Sequence, residues 1–359
     1  MHPPTSSEKT DIVREILGSE LPASSFQCYF QHYFNVICLP PTGAAVIDVG
    51  NPALCTHTDV LEAVRKLRAS PELTRGAFEG SVFSASSILP QEREHAAHAV
   101  ANAAFMVDAA FNGRHAYSNG RSDPTNLRWE QNQTFSQFLQ RFIQRHMDQS
   151  QSHGAQGLRQ QKSIKAWKLC KRHRIEIIGT DNILEHLDLD TTTASPKLKV
   201  FHQVAFLRAH LTYSQESPLE LSSTDSLKLG VLPPRLALET LVSLHRVLFP
   251  IITGDKRSQT LLKKLIKEQG FDPDTRWVEF VRELPHDFTF TIWGDRIRQL
   301  HTLVKEKPPG NPVEAWFERH ASDRNILIAA VIGLLFAGVF GLLSFLVGVA
   351  QLVLSWSAI

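Results

Sequence analysis

A glutamate and two histidines, Glu94, His95 and His98, form the pattern in this chain that most suggests chemistry. On a helix, side chains three and four positions apart share a face, so His98 would meet both of the other side chains. Imidazole nitrogens and a carboxylate oxygen are zinc ligands, which makes the three residues candidate metal ligands. Glu92 and His95 form a Glu-x-x-His pair on the same helix. A two-metal site requires a second helix with such a pair, but Pro285 predicts a loop in the comparable pair Glu283–His286. Histidines with this spacing are usually solvated or held by hydrogen bonds instead, so we predict no metal cofactor.

A second candidate is basic. Arg159–Arg174 contains seven lysines and arginines and no acidic residue. On a helix, Ile164, Trp167 and Leu169 supply an apolar side, and such a helix can lie on anionic lipid. The alternatives are a solvated helix face and a nucleic-acid contact, but no recognition module surrounds the segment, so nucleic acid is not an expected partner. The predicted lipid or polyanion contacts are Lys162, Lys165, Lys168, Lys171 and Arg172.

Catalytic signatures are missing from the sequence. It contains no Gly-x-Ser-x-Gly, no Gly-x-x-x-x-Gly-Lys, no Gly-x-Gly-x-x-Gly and no His-Glu-x-x-His. No catalytic residue is nominated, and the sequence favours a function without catalysis.

The C-terminal segment Asn325–Ile359 has no charged side chain. A membrane span needs ~20 apolar residues, and two spans with a turn need roughly 38, so the segment predicts a single transmembrane helix over 325–356. Arg319 and Arg324 lie on its N-terminal side, which places the rest of the chain in the cytosol. The expected arrangement is a tail anchor, with the endoplasmic reticulum favoured over other membranes.

Small residues are regularly spaced within this segment. Ala329, Gly333, Ala337 and Gly341 are separated by four positions each, and Gly348 continues the same side. On a helix this row makes a shallow groove where another membrane helix can pack closely. We therefore expect a homo-oligomer or a partner membrane helix, the alternative being that glycine and alanine are simply common in membrane spans.

The elements that must position these residues are predicted to be mostly α-helical. A minor N-terminal β-hairpin is expected from the β-branched runs Asn35–Leu39 and Ala44–Val49, and a short strand at Ile175–Ile178. Helical periodicity elsewhere predicts the following helices: Asp59–Ala69 capped by Thr58, Gln91–Phe111 after Pro90, Phe135–Gln149, Lys162–His173, Lys197–Thr212, Pro234–Leu248 and Ser258–Gln269.

The totals are those of a folded protein. The 359 residues are 43% hydrophobic and carry a net charge of +2, and the four cysteines are too sparse for a disulfide framework. The N-terminus has no apolar signal-peptide core. We expect a partly flexible segment over 1–25, a helical cytosolic domain over 26–307 that either is continuous or splits into two lobes near 148–161, and a linker with a juxtamembrane helix over 308–324.

Five further stretches have a recognisable sequence: Val100–Phe111, Ala166–Leu187, Phe201–Leu211, Ser226–Pro250, and "WGDRIRQL" with "PPGNPVEAW" before the span. Together they resemble a family of filamentous-fungal (ascomycete) proteins that end in a single transmembrane helix. The resemblance implies a membrane location and a fungal origin, but no activity is known for the family, so it implies no catalytic residue.

Three functions follow as hypotheses. The first is a tail-anchored interaction or scaffold protein that binds an unknown cytosolic protein partner. The second is a membrane-tethered enzyme with an unrecognised, metal-dependent site, and the third is peripheral binding of anionic lipid through 159–174.

Overall fold

The computed structural model describes residues 1–39, 52–110, 128–151, 164–192, 195–250, 255–276, 281–306 and 324–356. The chain forms two compact units, Met1–Val304 and Lys305–Ile359. The described residues are mostly helical, as predicted, and include a small three-stranded sheet.

Twelve of the described helices begin within the first unit. They are α1 (Ser6–Ile12), α2 (Gln27–Tyr33), α3 (His57–Ala69), α4 (Arg75–Val82), α5 (Pro90–Phe105), α6 (Phe135–Gln151), α7 (Ala166–His173), α8 (Val204–Tyr213), α9 (Ser223–Leu229), α10 (Pro234–Val242), α11 (Lys256–Gln269) and α12 (Gly294–Glu306). Three of them continue as π-helical turns: α1 over Val13–Leu17, α2 over Phe34–Cys38 and α10 over Ser243–Leu248.

Helix starts follow local capping chemistry. Thr5 and Glu8 form a capping box at α1, and Thr56 and Asp59 form another at α3. The prediction that Thr58 caps α3 was wrong by two residues, since the N-cap is Thr56. The Asp59 carboxylate accepts the Thr56 backbone amide, which places Asp59 in the first turn of the helix rather than at its first position. The predicted starts of α5 at a proline and of α6 are confirmed.

The core of the first unit surrounds α8 and α10. All nine residues of α10 are buried except Arg235, which is half-buried. Tyr29 of α2 stacks on Phe206 of α8 with the ring centroids 6.0 Å apart. A helix that is apolar on nearly every side must be central in its domain, which accounts for the position of α10.

Glu239 of α10 fastens the segment before α12 to this core. Its carboxylate is fully buried and accepts backbone amides from Thr291 at 2.8 Å, Ile292 at 2.9 Å and Trp293 at 3.1 Å. The Nε–H of Arg235 donates to the same carboxylate at 3.0 Å. Because each oxygen has charged or amide donors, the buried charge is compensated.

The sheet consists of β1 (Glu176–Thr180), β2 (Asp188–Asp190) and β3 (Lys197–Phe201) in the order β1-β3-β2. β1 is parallel to β3, with Glu176 opposite Lys197, and β2 is antiparallel to β3. The strand predicted around Ile177 is confirmed. The parallel pair brings the carboxyl ends of β1 and β3 together, and the site described below lies there.

The predicted N-terminal hairpin was wrong in its first strand. Asn35–Leu39 does not form a strand, because α2 continues helically to Cys38. Tyr29, Phe30 and Tyr33 are buried at helical spacing, and this long aromatic face outweighs the short β-branched run that follows. The second predicted strand, at 44–49, lies outside the described residues.

The helix predicted at Lys197–Thr212 was wrong over its first turn and a half. Residues 197–201 form β3, in which Leu198 and Val200 are buried and the alternating lysines are half-buried. α8 begins only at Val204. Likewise α5 ends at Phe105 rather than Phe111, since Met106 adopts a left-handed conformation with φ of 50°.

The first unit includes residues from the expected N-terminal segment. Within residues 1–25, α1 and its extension bury Ile12, Val13, Ile16 and Leu17 in the main core. Residues 1–304 form one compact unit, and most of the segment near 148–161 at which two lobes were expected, residues 152–161, lies outside the described residues. Most of the expected linker and juxtamembrane helix, at 308–323, lies outside the described residues.

The second unit contains α13 (Arg324–Trp356), a helix of 33 residues. Its described side chains between Gly333 and Val349 are all exposed. Within the described ranges, no helix combines the length and the hydropathy needed to cross a membrane.

Candidate functional site

Polar side chains collect where the parallel strands end. Asp181 follows β1, while His202 and Gln203 follow β3. His32 and Cys28 reach the same place from α2. In open α/β sheets, ligands bind at the carboxyl ends of parallel strands, so this group, hereafter the strand-end cluster, is the candidate site.

The carboxylate of Asp181 joins the cluster. It lies 3.3 Å from Nδ1 of His32 and 3.5 Å from Nε2 of His202. The side-chain amide of Gln203 donates to it at 2.5 Å and also to the backbone oxygen of Cys28 at 3.3 Å. A single acceptor is therefore shared by donors from α2 and from the end of β3.

The hydrogen-bond partners fix the proton positions. Nδ1 of His202 accepts the backbone N–H of Asp272 at 3.1 Å, so its proton is on Nε2, facing Asp181. Nε2 of His32 faces Oδ1 of Asn102 at 3.2 Å, and its Nδ1 faces the Asp181 carboxylate. Both nitrogens of His32 thus face acceptor oxygens.

The electrostatics of the cluster favour a charged carboxylate. Burial opposes ionisation of Asp181, but the hydrogen bonds and charges of His32, Gln203 and His202 outweigh it and lower the pKa of Asp181. Burial lowers the pKa of His202, partly offset by Asp181. The side chain of Asp181 is 34% exposed, whereas those of His32 and His202 are 6% and 9% exposed. The Asp181 carboxylate is therefore more accessible to solvent than either histidine of the cluster.

The cluster has no activated nucleophile. Burial, followed by the charge of Asp272, raises the pKa of the Cys28 thiol to about 12, and the thiol donates to the backbone oxygen of Gly270 at 3.7 Å. The thiolate is the reactive form of cysteine, so Cys28 is inert at neutral pH. The arrangement can hold or exchange a proton, but it does not support covalent catalysis.

A buried serine and histidine lie within hydrogen-bond distance of each other, as a catalytic pair would. Nε2 of His186 lies 2.6 Å from Oγ of Ser243, but both residues have no exposed surface. Nδ1 of His186 accepts the Phe201 amide, so Nε2 donates to Ser243, which itself donates to the Thr240 oxygen at 2.7 Å. The proton lies on the wrong nitrogen for a general base, and the pair is structural.

The predicted metal ligands are only partly brought together. Nε2 of His98 lies 3.4 Å from Glu94, while the side chain of His95 is exposed. The guanidinium groups of Arg75, at 3.0 Å, and Arg128 also contact the Glu94 carboxylate. Burial, followed by the charge of Arg75, lowers the pKa of His98 to about 4. Cationic groups already occupy the position that a metal ion would need, so the geometry disfavours one here.

The basic segment is engaged by the fold as well. Nζ of Lys165 lies 2.6 Å from the Asp255 carboxylate, and Lys168 is buried, with its Nζ 5.8 Å from the Trp167 ring centroid. Lys171 is exposed, Arg172 is half-buried, and Lys162 lies outside the described residues. Fewer basic side chains are thus open to solvent than the spacing of the lysines and arginines indicated. Lipid contact through this segment stays a prediction.

The row of small residues on α13 is open. A β-carbon built at Gly333, Gly341 or Gly348 would meet nothing within 4 Å, and Ala337 is exposed. Nothing is described of the Ala329 side chain. Helix packing through this row stays a prediction.

Another group of potential ligands was missed by sequence reasoning. His2, Glu8 and His57 each place one ligand atom within 4.8 Å of the other two, the one such group of three or more among the described residues. Neither this group nor the strand-end cluster has a sequence signature, because its members come from separate elements.

Comparisons with protein-family models, curated proteins and solved structures gave no match. The resemblance to filamentous-fungal proteins with a C-terminal span stays a prediction.

Proposed function

We propose that the protein is a membrane-anchored interaction protein, with α13 in a lipid bilayer and the unit Met1–Val304 facing the cytosol. The supporting observation is that the described side chains from Gly333 to Val349 are uncharged and exposed on every side of the helix. A soluble helix has an apolar stripe and a polar face, whereas one that is apolar all round is buried in protein or lipid.

The apolar area on α13 is large. Leu334 is 80% exposed, Phe345 69% and Leu342 65%, and nine more large apolar side chains of the helix are exposed. Burying such a side chain is worth ~1.5–3 kcal/mol, so covering all of them stabilises the chain by on the order of 20 kcal/mol. Some apolar environment must therefore cover this helix.

A bilayer is the environment that the dimensions favour. The 33 residues of α13 extend about 50 Å at ~1.5 Å per residue, against ~30 Å of hydrocarbon. Side chains are described without interruption over residues 333–349, which is just short of the ~20 residues of a span. The proposed span therefore also includes the uncharged residues on both sides of this range. Arg319 and Arg324 support the cytosolic position of the preceding unit.

The protein would bind partners through two surfaces, one in the membrane and one in the cytosol. Within the membrane, the row Gly333–Ala337–Gly341–Gly348, with Ala329, offers a groove for a second copy or a partner helix. In the cytosol, the helical unit would hold a protein partner. The endoplasmic reticulum is the proposed membrane, and a fluorescent fusion that localises to mitochondria would overturn that part.

Membrane fractionation of the full chain tests the anchor. The parent should stay in the membrane pellet after alkaline carbonate, and a Leu335→Arg, Leu342→Arg, Phe345→Arg variant should move to the supernatant. Each arginine at the centre of a span costs ~2.5–3.5 kcal/mol. Leu89→Arg is the matched control, because Leu89 is an exposed leucine of the first unit, 44% accessible. A parent that is extracted by carbonate would refute the proposal.

Peripheral lipid binding is the alternative for the basic segment. It is less favoured, since Lys165 and Lys168 are engaged within the fold. A membrane-tethered enzyme is the other alternative. The strand-end cluster can hold or exchange a proton, but its cysteine is not an activated nucleophile. The interaction function is therefore the one that the observations support best.

A further inference from the structure

Three side chains that zinc prefers meet at the N-terminal side of the first unit. Glu8 lies in the first turn of α1, His57 is the first residue of α3, and His2 lies ahead of both. Capping boxes begin both helices, so Glu8 and His57 are placed by well-defined backbone rather than by loops. One ligand atom of each lies within 4.8 Å of the others.

His2 already has the form of a metal ligand. Its Nδ1 lies 2.8 Å from the Pro3 carbonyl oxygen, which can only accept, so Nδ1 carries the proton. Nε2 of the neutral ring then has its lone pair free. A backbone carbonyl that holds the proton on one nitrogen orients the other toward a metal, as the outer partners of metal-binding histidines do.

His57 needs a change of tautomer, but its ring can stay in place. Nε2 lies 3.1 Å from the His2 carbonyl oxygen, and Nδ1 lies 3.0 Å from the Tyr33 hydroxyl. Without a metal, Nε2 carries the proton. Because a tyrosine hydroxyl both donates and accepts, Nδ1 can carry the proton instead and donate it to Tyr33, which frees Nε2.

The backbone carbonyl oxygen of His2 is a further possible ligand beside the three side chains. Two ligands at ~2.1 Å from a zinc ion, at roughly right or tetrahedral angles, lie about 3.0–3.4 Å apart. Nε2 of His57 and the carbonyl oxygen of His2 are 3.1 Å apart. An ion that replaces the proton between them would have an imidazole nitrogen and a carbonyl oxygen as neighbours.

Glu8 supplies the negative charge. Its Oε2 accepts the Thr5 amide and the Thr5 hydroxyl, both at 2.7 Å, and the backbone bond first, then the hydroxyl bond, lowers the pKa of Glu8. In the described part of the chain, no ion pair joins Glu8 to a lysine or arginine. This differs from Glu94, whose charge two arginines already offset.

We propose that His2, Glu8 and His57 bind one divalent transition-metal ion of the zinc class. Two imidazole nitrogens select zinc, cobalt or nickel over calcium and magnesium, which prefer oxygen ligands. The ion would tie the chain ahead of α1 to the start of α3.

Titration of the metal-stripped full chain in detergent tests the site. Calorimetry with Zn²⁺, and visible absorption with Co²⁺, should show one bound ion per chain and a rise of Tm with zinc. His2→Gln should weaken binding at least tenfold and abolish the rise in Tm. Glu8→Gln is the second variant, because its amide oxygen still accepts from Thr5 while the charge is lost. His286→Gln is the matched control, since His286 is also an exposed histidine.

Any of three results would overturn the proposal. The first is equal affinity of the parent and His2→Gln, and the second is no stoichiometric binding by the parent. The third is a thiolate-to-cobalt charge-transfer band that persists in His2→Gln, since the ion would then be bound at a cysteine. Circular dichroism identical to that of the parent will establish that both variants fold.

Discussion

Lowering the pH from 7 to 5 should destabilise the first unit strongly, because it buries neutral histidines. Burial lowers the pKa of His98 to about 4, of His210 to about 3 and of His245 to about 4. The unfolded chain, with histidine pKa values near 6.5, binds more protons in this range than the folded chain. Stability is therefore complete above about pH 6.5 and falls as the pH drops from there toward about 4.

The magnitude follows from those values. Each of the three histidines removes about 2 kcal/mol between pH 7 and pH 5, about 6 kcal/mol together. Asp272 acts in the opposite direction, since burial raises its pKa to about 6 and protonation returns about 1 kcal/mol to the folded state. The net loss of about 5 kcal/mol is comparable with the whole stability of an ordinary domain.

Urea unfolding of the full chain in detergent, followed by tryptophan fluorescence at pH 7, 6 and 5, measures this loss. His210→Asn should reduce the pH-dependent loss by about 2 kcal/mol. The asparagine oxygen can accept the Leu232 amide, now 2.9 Å from Nδ1, without titrating. His95→Asn, at an exposed position, should leave the pH dependence unchanged. A free energy of unfolding that is equal at pH 7 and pH 5 would show that the reasoning is wrong.

Three more predictions concern packing. Glu239→Ala should lower the free energy of unfolding by about 3–5 kcal/mol in the same urea titration, because three backbone amides lose their acceptor. Glu216→Ala, at an exposed glutamate, is the control and should change the free energy of unfolding by less than about 0.5 kcal/mol. Gly230→Ala should lower Tm in a thermal scan, because φ is +81° and the new β-carbon would lie 2.7 Å from a guanidinium carbon; an unchanged Tm would contradict this. A Gly333→Ile, Gly341→Ile double variant should lose crosslinked oligomers in membranes, and crosslinking equal to that of the parent would rule out the small-residue row.

Local patterns in the sequence were sufficient for much of the fold. Pro90 at the start of α5, the buried face of α10 and the β-branched run at β1 all act within one element, so their periodicity identified them. The failures occurred where a distant contact outweighed the local pattern. The run after Phe34 stays helical because the aromatic face of α2 packs on α8, and β3 forms because β1 offers it a parallel partner.

Neither candidate site was predicted. The strand-end cluster combines His32, Asp181 and His202, and the proposed metal site combines His2, Glu8 and His57. Conversely, Glu94 and His98 did meet, but arginines from α4 and from the segment before α6 turned them into an ion-pair network. Spacing along one helix predicts which of its side chains are neighbours, but it does not predict which side chains of other elements contact them.

The sequence by itself determined the helical class, the starts of α5, α6 and α10 and the uncharged C-terminal segment, because capping, periodicity and hydropathy are properties of adjacent residues. Only the tertiary structure decided which carboxylates pair with arginine and which face histidine, and which nitrogen of each buried imidazole carries the proton. Those choices depend on side chains that are far apart in the chain and are brought together by packing, and they determine where this protein can bind an ion or hold a proton.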